Sequence, residues 1–220
     1  MRTRFYLSFA LLTGLFYSRT IIAQSYINLE AGQVFSTFKY IDSKGVEDNT
    51  YSYNVLSSYS LGYQYAKQNG FFARVSLGMR KAGANLVYNK INYIWNMQYT
   101  SVNAGIGYQF NKWRLKPYLF VSPYYASLLD ATQTINSDNY DIKDNKSIKD
   151  NDFGLFIAPG LNIILSNYVS IYAEYDYILG LHNIETAQAE QLYNRGFSLN
   201  FGVSLNITKI AKLNQPRIIK

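Results

Sequence analysis

Residues 50–66 read TYSYNVLSSYSLGYQYA, and all five tyrosines in the stretch, Tyr51, Tyr53, Tyr59, Tyr63 and Tyr65, occupy odd positions. With them on the odd face stand Val55, Ser57 and Leu61. The even face is Ser52, Asn54, Leu56, Ser58, Ser60, Gly62, Gln64 and Ala66. Side chains that alternate with a period of two belong to a strand, with one face apolar and the other small and polar. The chain contains 22 tyrosines, and aromatic residues make up 17% of it. That is too many to bury in a domain of this size, so many must sit where an apolar body meets a wet edge.

The same alternation recurs. In 71–80, Phe71, Ala73, Val75, Leu77 and Met79 oppose Phe72, Arg74, Ser76, Gly78 and Arg80. In 196–207, Phe197, Leu199, Phe201, Val203, Leu205 and Ile207 oppose Gly196, Ser198, Asn200, Gly202, Ser204 and Asn206. Eight such segments are expected, near 26–41, 51–66, 71–81, 94–110, 117–129, 153–165, 169–181 and 195–207. A change of phase after Gly32 predicts a bulge in the first. Pro123 and Pro159 fall inside strands, where a missing N–H predicts local distortion.

The connections alternate in length. KQNG, NKWRLK and SNY are short, while 42–50, 82–93, 130–152 and 182–194 are long. In a meander all the long loops then emerge at one end of the sheet. The polar face is Ser, Gly, Asn and Gln rather than the Lys and Glu that a water-facing wall carries. Small neutral residues suit a narrow interior, which leaves the apolar face for lipid. The expected fold is all-β: an eight-stranded antiparallel up-and-down transmembrane β-barrel. Tyr53 and Tyr63 lie ten residues apart, about 33 Å along a strand and about 25 Å in height at the usual tilt. Tyr51 and Tyr53 are therefore expected in an outer aromatic girdle and Tyr63 and Tyr65 in a periplasmic one, with Trp113 in the same set.

The segment MRTRFYLSFALLTGLFYSRTIIAQ has basic Arg2 and Arg4, a short apolar run and Ala23 before Gln24. It is the layout of a signal peptide over residues 1–23, and its apolar run is too short to span a bilayer as a helix. The barrel is then expected over 24–207 and a basic periplasmic tail over 208–220. The formal charge of +7 includes Arg2, Arg4 and Arg19, and four more cations stand at Lys209, Lys212, Arg217 and Lys220. The barrel itself is near neutral, so the basic balance is no sign of nucleic-acid binding. Without cysteine, an exported domain must rely on its own packing or on a membrane.

The polar face carries a few charges. In an eight-membered ring the third and seventh strands lie opposite, placing Arg74 and Arg80 across from Glu174 and Asp176, with Glu30 at similar height. A luminal network of Glu30, Arg74, Arg80, Glu174 and Asp176 is expected, because buried charges are costly unless paired. His182, with Glu185 nearby, is the one histidine, but no nucleophile stands in a recognisable motif beside it. The loop DATQTINSDNYDIKDNKSIKDND is rich in aspartate yet lacks EF-hand spacing and glycine, and reads as a solvated surface loop. No catalytic residue, cofactor or metal is expected.

The run DFGLFIAPGLNIILSNYVSIYAEYDYILGL, residues 152–181, resembles the closing half of small outer-membrane β-barrel proteins of Bacteroidota, of the PorT-like and OmpX-like kind. The resemblance implies a Gram-negative outer-membrane location, and an even number of strands is expected to leave both termini on the periplasmic side. The resemblance also implies contact with outer-membrane lipid and lipopolysaccharide, and a structural or surface-interaction role through the external loops. Two further readings stay open: binding or passage of small hydrophobic molecules through a gap in the wall near Pro123 and Pro159, and service as an assembly factor for a secretion or surface-protein machine.

Overall fold

A computed structural model describes residues 23–213 apart from Trp113, Asn145 and Gln188. The expected signal peptide, the girdle position Trp113 and the end of the basic tail therefore lie outside the described residues. The strands are β1 (Gln24–Ile41), β2 (Glu47–Asp48), β3 (Ser52–Ala66), β4 (Phe71–Ala82), β5 (Ala84–Tyr88), β6 (Ile91–Gln109), β7 (Leu115–Ile135), β8 (Asp138–Asp141), β9 (Asn151–Ile164), β10 (Val169–Gly180) and β11 (Gln191–Asn206). A short helix, α1 (Ile207–Leu213), follows. Eight of the strands close into an antiparallel ring in the order β1, β3, β4, β6, β7, β9, β10, β11 and back to β1. Full closure leaves no open edge, as a wall in lipid requires.

At one end the turns are short: 67–70, 110–114 and 165–168. The other end carries the long connections; in one, β2 pairs briefly with the end of β1, and two others continue the wall as longer hairpins. In one, β5 pairs with β6 through a turn in which Asn89 and Lys90 both take positive φ, the geometry of a two-residue hairpin turn that matches strand twist. In the other, β8 folds back on β7 around Asn136. The stretches 42–50, 82–93 and 130–152 are thus partly strand, a correction to their reading as loops. Their short polar turns had masked the pairing on either side.

Outward-facing residues form the apolar surface. Tyr53, Val55, Tyr59, Leu61, Tyr63 and Tyr65 of β3 are exposed, as are Leu77 of β4 and Phe201 of β11, at 63% and 69%. The partners Gly62, Ser76, Ser198, Asn200 and Ser204 turn inward and are buried or half-buried.

The expected bulge after Gly32 is absent. β1 keeps one register with β11 from Tyr26 to Ile41, and even positions face inward throughout. What resembles a phase change is a change in the interior itself, which is polar around Asn28 and Glu30 and apolar at Val34 and Phe38. The one register shift in the β6–β7 ladder falls between Gln98 and Tyr99. At the prolines the ladder thins without slipping. The β6–β7 pairing omits the partners of Ala104 and Gly105 beside Pro123, and the β9–β10 pairing omits those of Tyr175 and Asp176 beside Pro159. The β7–β9 seam runs unbroken past both, because each proline turns its missing donor to the opposite neighbour.

Asn206 ends the last strand, and its side chain accepts a hydrogen bond from the Lys209 amide at 3.1 Å, capping α1. Thr208 accepts a bond from the Ser25 amide at 2.8 Å, tying the helix to the start of β1 at the short-turn end.

Candidate functional site

The barrel interior is built in layers, each from inward positions of several strands. In the layer nearer the short turns, Arg74 of β4 donates to Glu174 of β10 at 2.6 Å, and both side chains are about one-twentieth exposed. Tyr118 also donates to Glu174 Oε2, at 2.8 Å. Glu30 accepts from Tyr172 at 3.1 Å and from Ser60 at 3.3 Å. Asp176 accepts from Asn200 at 2.8 Å. The guanidinium of Arg74 lies 4.0 Å over the Phe120 ring, which shields it further. Charge-assisted bonds of this kind are the strong ones, and shielding from water raises their weight.

The tyrosines fit because of glycine. Tyr172 stands opposite Gly202, and Tyr118 opposite Gly160. A Cβ on Gly202 would lie 2.2 Å from Tyr172 Cζ, and one on Gly160 2.3 Å from Tyr118 Cζ. Each ring therefore lies flat across a bare stretch of the neighbouring strand and brings its hydroxyl to a carboxylate.

A second layer lies toward the long connections. Arg80 pairs there with Asp152 at 3.4 Å, while Tyr124 and Asn194 donate to the same carboxylate oxygen at 3.0 Å each. The Arg80 guanidinium sits 4.9 Å from the Tyr124 ring centre. Of the five charges expected to meet, the structure brings Glu30, Arg74, Glu174 and Asp176 together and directs Arg80 to Asp152. Sequence reading missed Asp152 by assigning it to the loop. The alternation Asp152, Gly154, Phe156, Ala158 would have turned it inward, with the buried residues of β9.

Above this layer the interior becomes apolar. Val34, Phe38, Met97, Tyr99, Leu128 and Phe156 pack with Ile142, Ile148, Ile184 and Leu192 of the long connections and their borders. Ile148 bridges to Glu185, and the Lys149 amide donates to the Ile184 carbonyl at 2.8 Å. The aspartate-rich connection is thus anchored over the barrel mouth by buried isoleucines, which corrects its reading as wholly solvated. Asp141 serves it as a turn residue, accepting from the amides of Lys143 and Asp144 at 2.9 and 3.0 Å.

Tyr51 departs from the outer girdle. It precedes β3 and packs among Phe38, Tyr40 and Trp95, and burial, with Asp48, Glu190 and Glu185 nearby, pushes its phenol up to about 12. Tyr53 does face outward, against Phe197, which also stacks with Phe35 and Tyr175. His182 stacks on Phe153 at 5.0 Å, and the Glu185 carboxylate accepts from the amides of Thr186 and Ala187. The two are not arranged as an acid–histidine pair.

Residues 8–204 match the outer membrane protein beta-barrel domain. No curated protein sequence matches the chain. Among solved structures, the fold is similar to the outer membrane protein OprG from Pseudomonas aeruginosa, at a TM-score of 0.51 and 10% identity, covering 84% of this chain and 96% of that one. It is also similar to Neisserial surface protein A, at 0.50 and 16%, covering 84% and 98%. At such identities the likeness is one of fold.

Proposed function

The chain belongs to the outer membrane protein beta-barrel domain family, and from that premise we propose that it is a non-enzymatic barrel with a structural or surface-interaction role, its lumen sealed by charge. The observation that carries this reading is the Arg74–Glu174 pair. It joins opposite walls of an eight-stranded ring, whose interior side chains alone can fill. The Arg80–Asp152 layer and the apolar cap of Ile142, Ile148 and Ile184 add two further barriers above it. In this reading the short turns and both ends of the barrel are periplasmic. The four long connections face outward toward lipopolysaccharide and a protein partner, and kinship with the Bacteroidota barrels is part of the same reading.

Planar-bilayer recordings from pure protein test it: no stable large conductance is expected, and a steady open channel would overturn the sealed lumen. Cross-linking and co-purification from native membranes test the partner, and would also reveal an assembly machine if one copurifies. Passage of hydrophobic molecules through the wall is the weaker reading. The thinned ladders at Pro123 and Pro159 favour it, but the seam between those two strands is continuous.

A further inference from the structure

Glu30, Glu174 and Asp176 converge inside the barrel, and one carboxylate oxygen from each lies within 4.8 Å of the other two. Arg74 pairs with Glu174, and Arg80 is committed to Asp152 in the layer above. When all three carboxyls are ionised, one guanidinium leaves two negative charges in a site shielded from water, a costly arrangement unless something balances it.

A second observation points to what does. Asp176 Oδ1 is buried and has no hydrogen-bond partner, although Oδ2 of the same carboxylate accepts from Asn200. Buried acceptors are normally satisfied. The three acids also line a cavity of about 50 Å³, with Ser58, Ser60, Ser76 and Asn200 on its walls. Smaller polar cavities lined by Gln64, Gln109 and Asn162 lie between it and the short-turn end. A donor set made only of oxygens suits a hard cation. Two oxygens bound to one calcium ion stand no more than about 5 Å apart, twice the usual metal–oxygen distance, and these three meet that bound, each lying within 4.8 Å of the others.

We propose that Glu30, Glu174 and Asp176 form a buried site for one divalent cation of the calcium type, reached from the short-turn end. The ion balances the two charges that Arg74 leaves over and supplies the partner that Asp176 Oδ1 lacks. Ser60 and Tyr172 hold Glu30, while Tyr118 and Arg74 hold Glu174, so the ligands are positioned before the ion arrives. This goes beyond the sealed-lumen reading and is tested apart from it: conductance reports on the lumen, ion binding on the site.

The test uses the full chain, refolded in detergent micelles, with calcium followed by calorimetry and terbium by luminescence excited through tyrosine. One site per barrel is expected, with calcium displacing terbium. Asp176→Asn and Glu30→Gln should each weaken binding at least tenfold, while Asp144→Asn with Asp150→Asn in the exposed connection should leave it unchanged. Heat-dependent gel mobility checks that each variant folds. Should Asp176→Asn fail to fold, Tyr172→Phe, which keeps the ring, should still lower the sensitised terbium emission. No binding to the wild-type barrel, binding indifferent to Asp176→Asn and Glu30→Gln, or binding lost with the two connection aspartates would each overturn the site.

Discussion

Arg74 and Glu174, one hundred residues apart, meet at 2.6 Å across the full width of the barrel. Their strands are third and seventh in a ring of eight, the two positions farthest from each other. The pair therefore acts as a strut as well as an ion pair.

Removing one end of that strut should be worse than removing both. Arg74→Ala leaves three carboxylates with no guanidinium among them and is expected to cost about 3–5 kcal/mol. The double change Arg74→Met with Glu174→Leu removes the charges together and should cost clearly less. Denaturant unfolding in lipid vesicles measures both, and equal losses would contradict a paired origin of the stability.

Gly202 should resist any side chain. A Cβ there would stand 2.2 Å from Tyr172 Cζ, so Gly202→Ala forces the ring off Glu30 at a cost of about 1–3 kcal/mol. Pairing it with Tyr172→Ser opens the space and should recover part of the loss. Thermal gel-shift midpoints of the two variants compare them, and the absence of any recovery would show that the ring is not what the methyl meets.

The apolar cap should be separable from the barrel. Ile184 is fully buried at the mouth, and truncating such a residue to alanine costs about 2–5 kcal/mol. That loss is expected to appear as local opening. Limited trypsin digestion of Ile184→Ala should cut faster at Lys143, Lys146 and Lys149 while the barrel stays intact. Unchanged cutting would mean that the connection is held by other contacts.

The outward tyrosines of β3 should report depth. Tyr53→Trp, Tyr59→Trp and Tyr63→Trp, each in a Trp95→Phe, Trp113→Phe background, can be read with lipids brominated at different acyl positions. Deep bromines should quench Tyr59→Trp most. Tyr53→Trp and Tyr63→Trp should respond to shallow bromines, because about 25 Å of height separates them. Strong deep quenching at either end position would place the apolar band elsewhere.

Much of this molecule is legible along the chain. Period-two alternation in 50–66 and 196–207 marks strands because a pleated backbone must send neighbours to opposite sides. Loop lengths that alternate give an up-and-down order, and the small neutral face tells inside from outside. Legibility falls where an inward position is as apolar as an outward one. In β7, Tyr118, Phe120 and Tyr124 point in while Leu119, Val121 and Tyr125 point out, and composition alone cannot tell the two sets apart. The same ambiguity turned Val34 and Phe38 into an apparent bulge, when they simply mark where the lumen changes from polar to apolar.

The sequence by itself determined the class of fold, the number of barrel strands and, where one face is apolar and the other small and polar, the face that each residue presents, because these follow from local geometry repeated along one chain. It also placed opposite charges on opposite walls. Only the tertiary structure decided which charges meet. Arg74 reaches Glu174 and Arg80 reaches Asp152 because shear sets the relative heights of distant strands, and no local pattern encodes that offset. Closure also brings Glu30, Glu174 and Asp176 together from two strands separated in the ring by β11, across more than a hundred residues of chain. A strand read alone has two faces; only a closed ring has a centre where those faces meet.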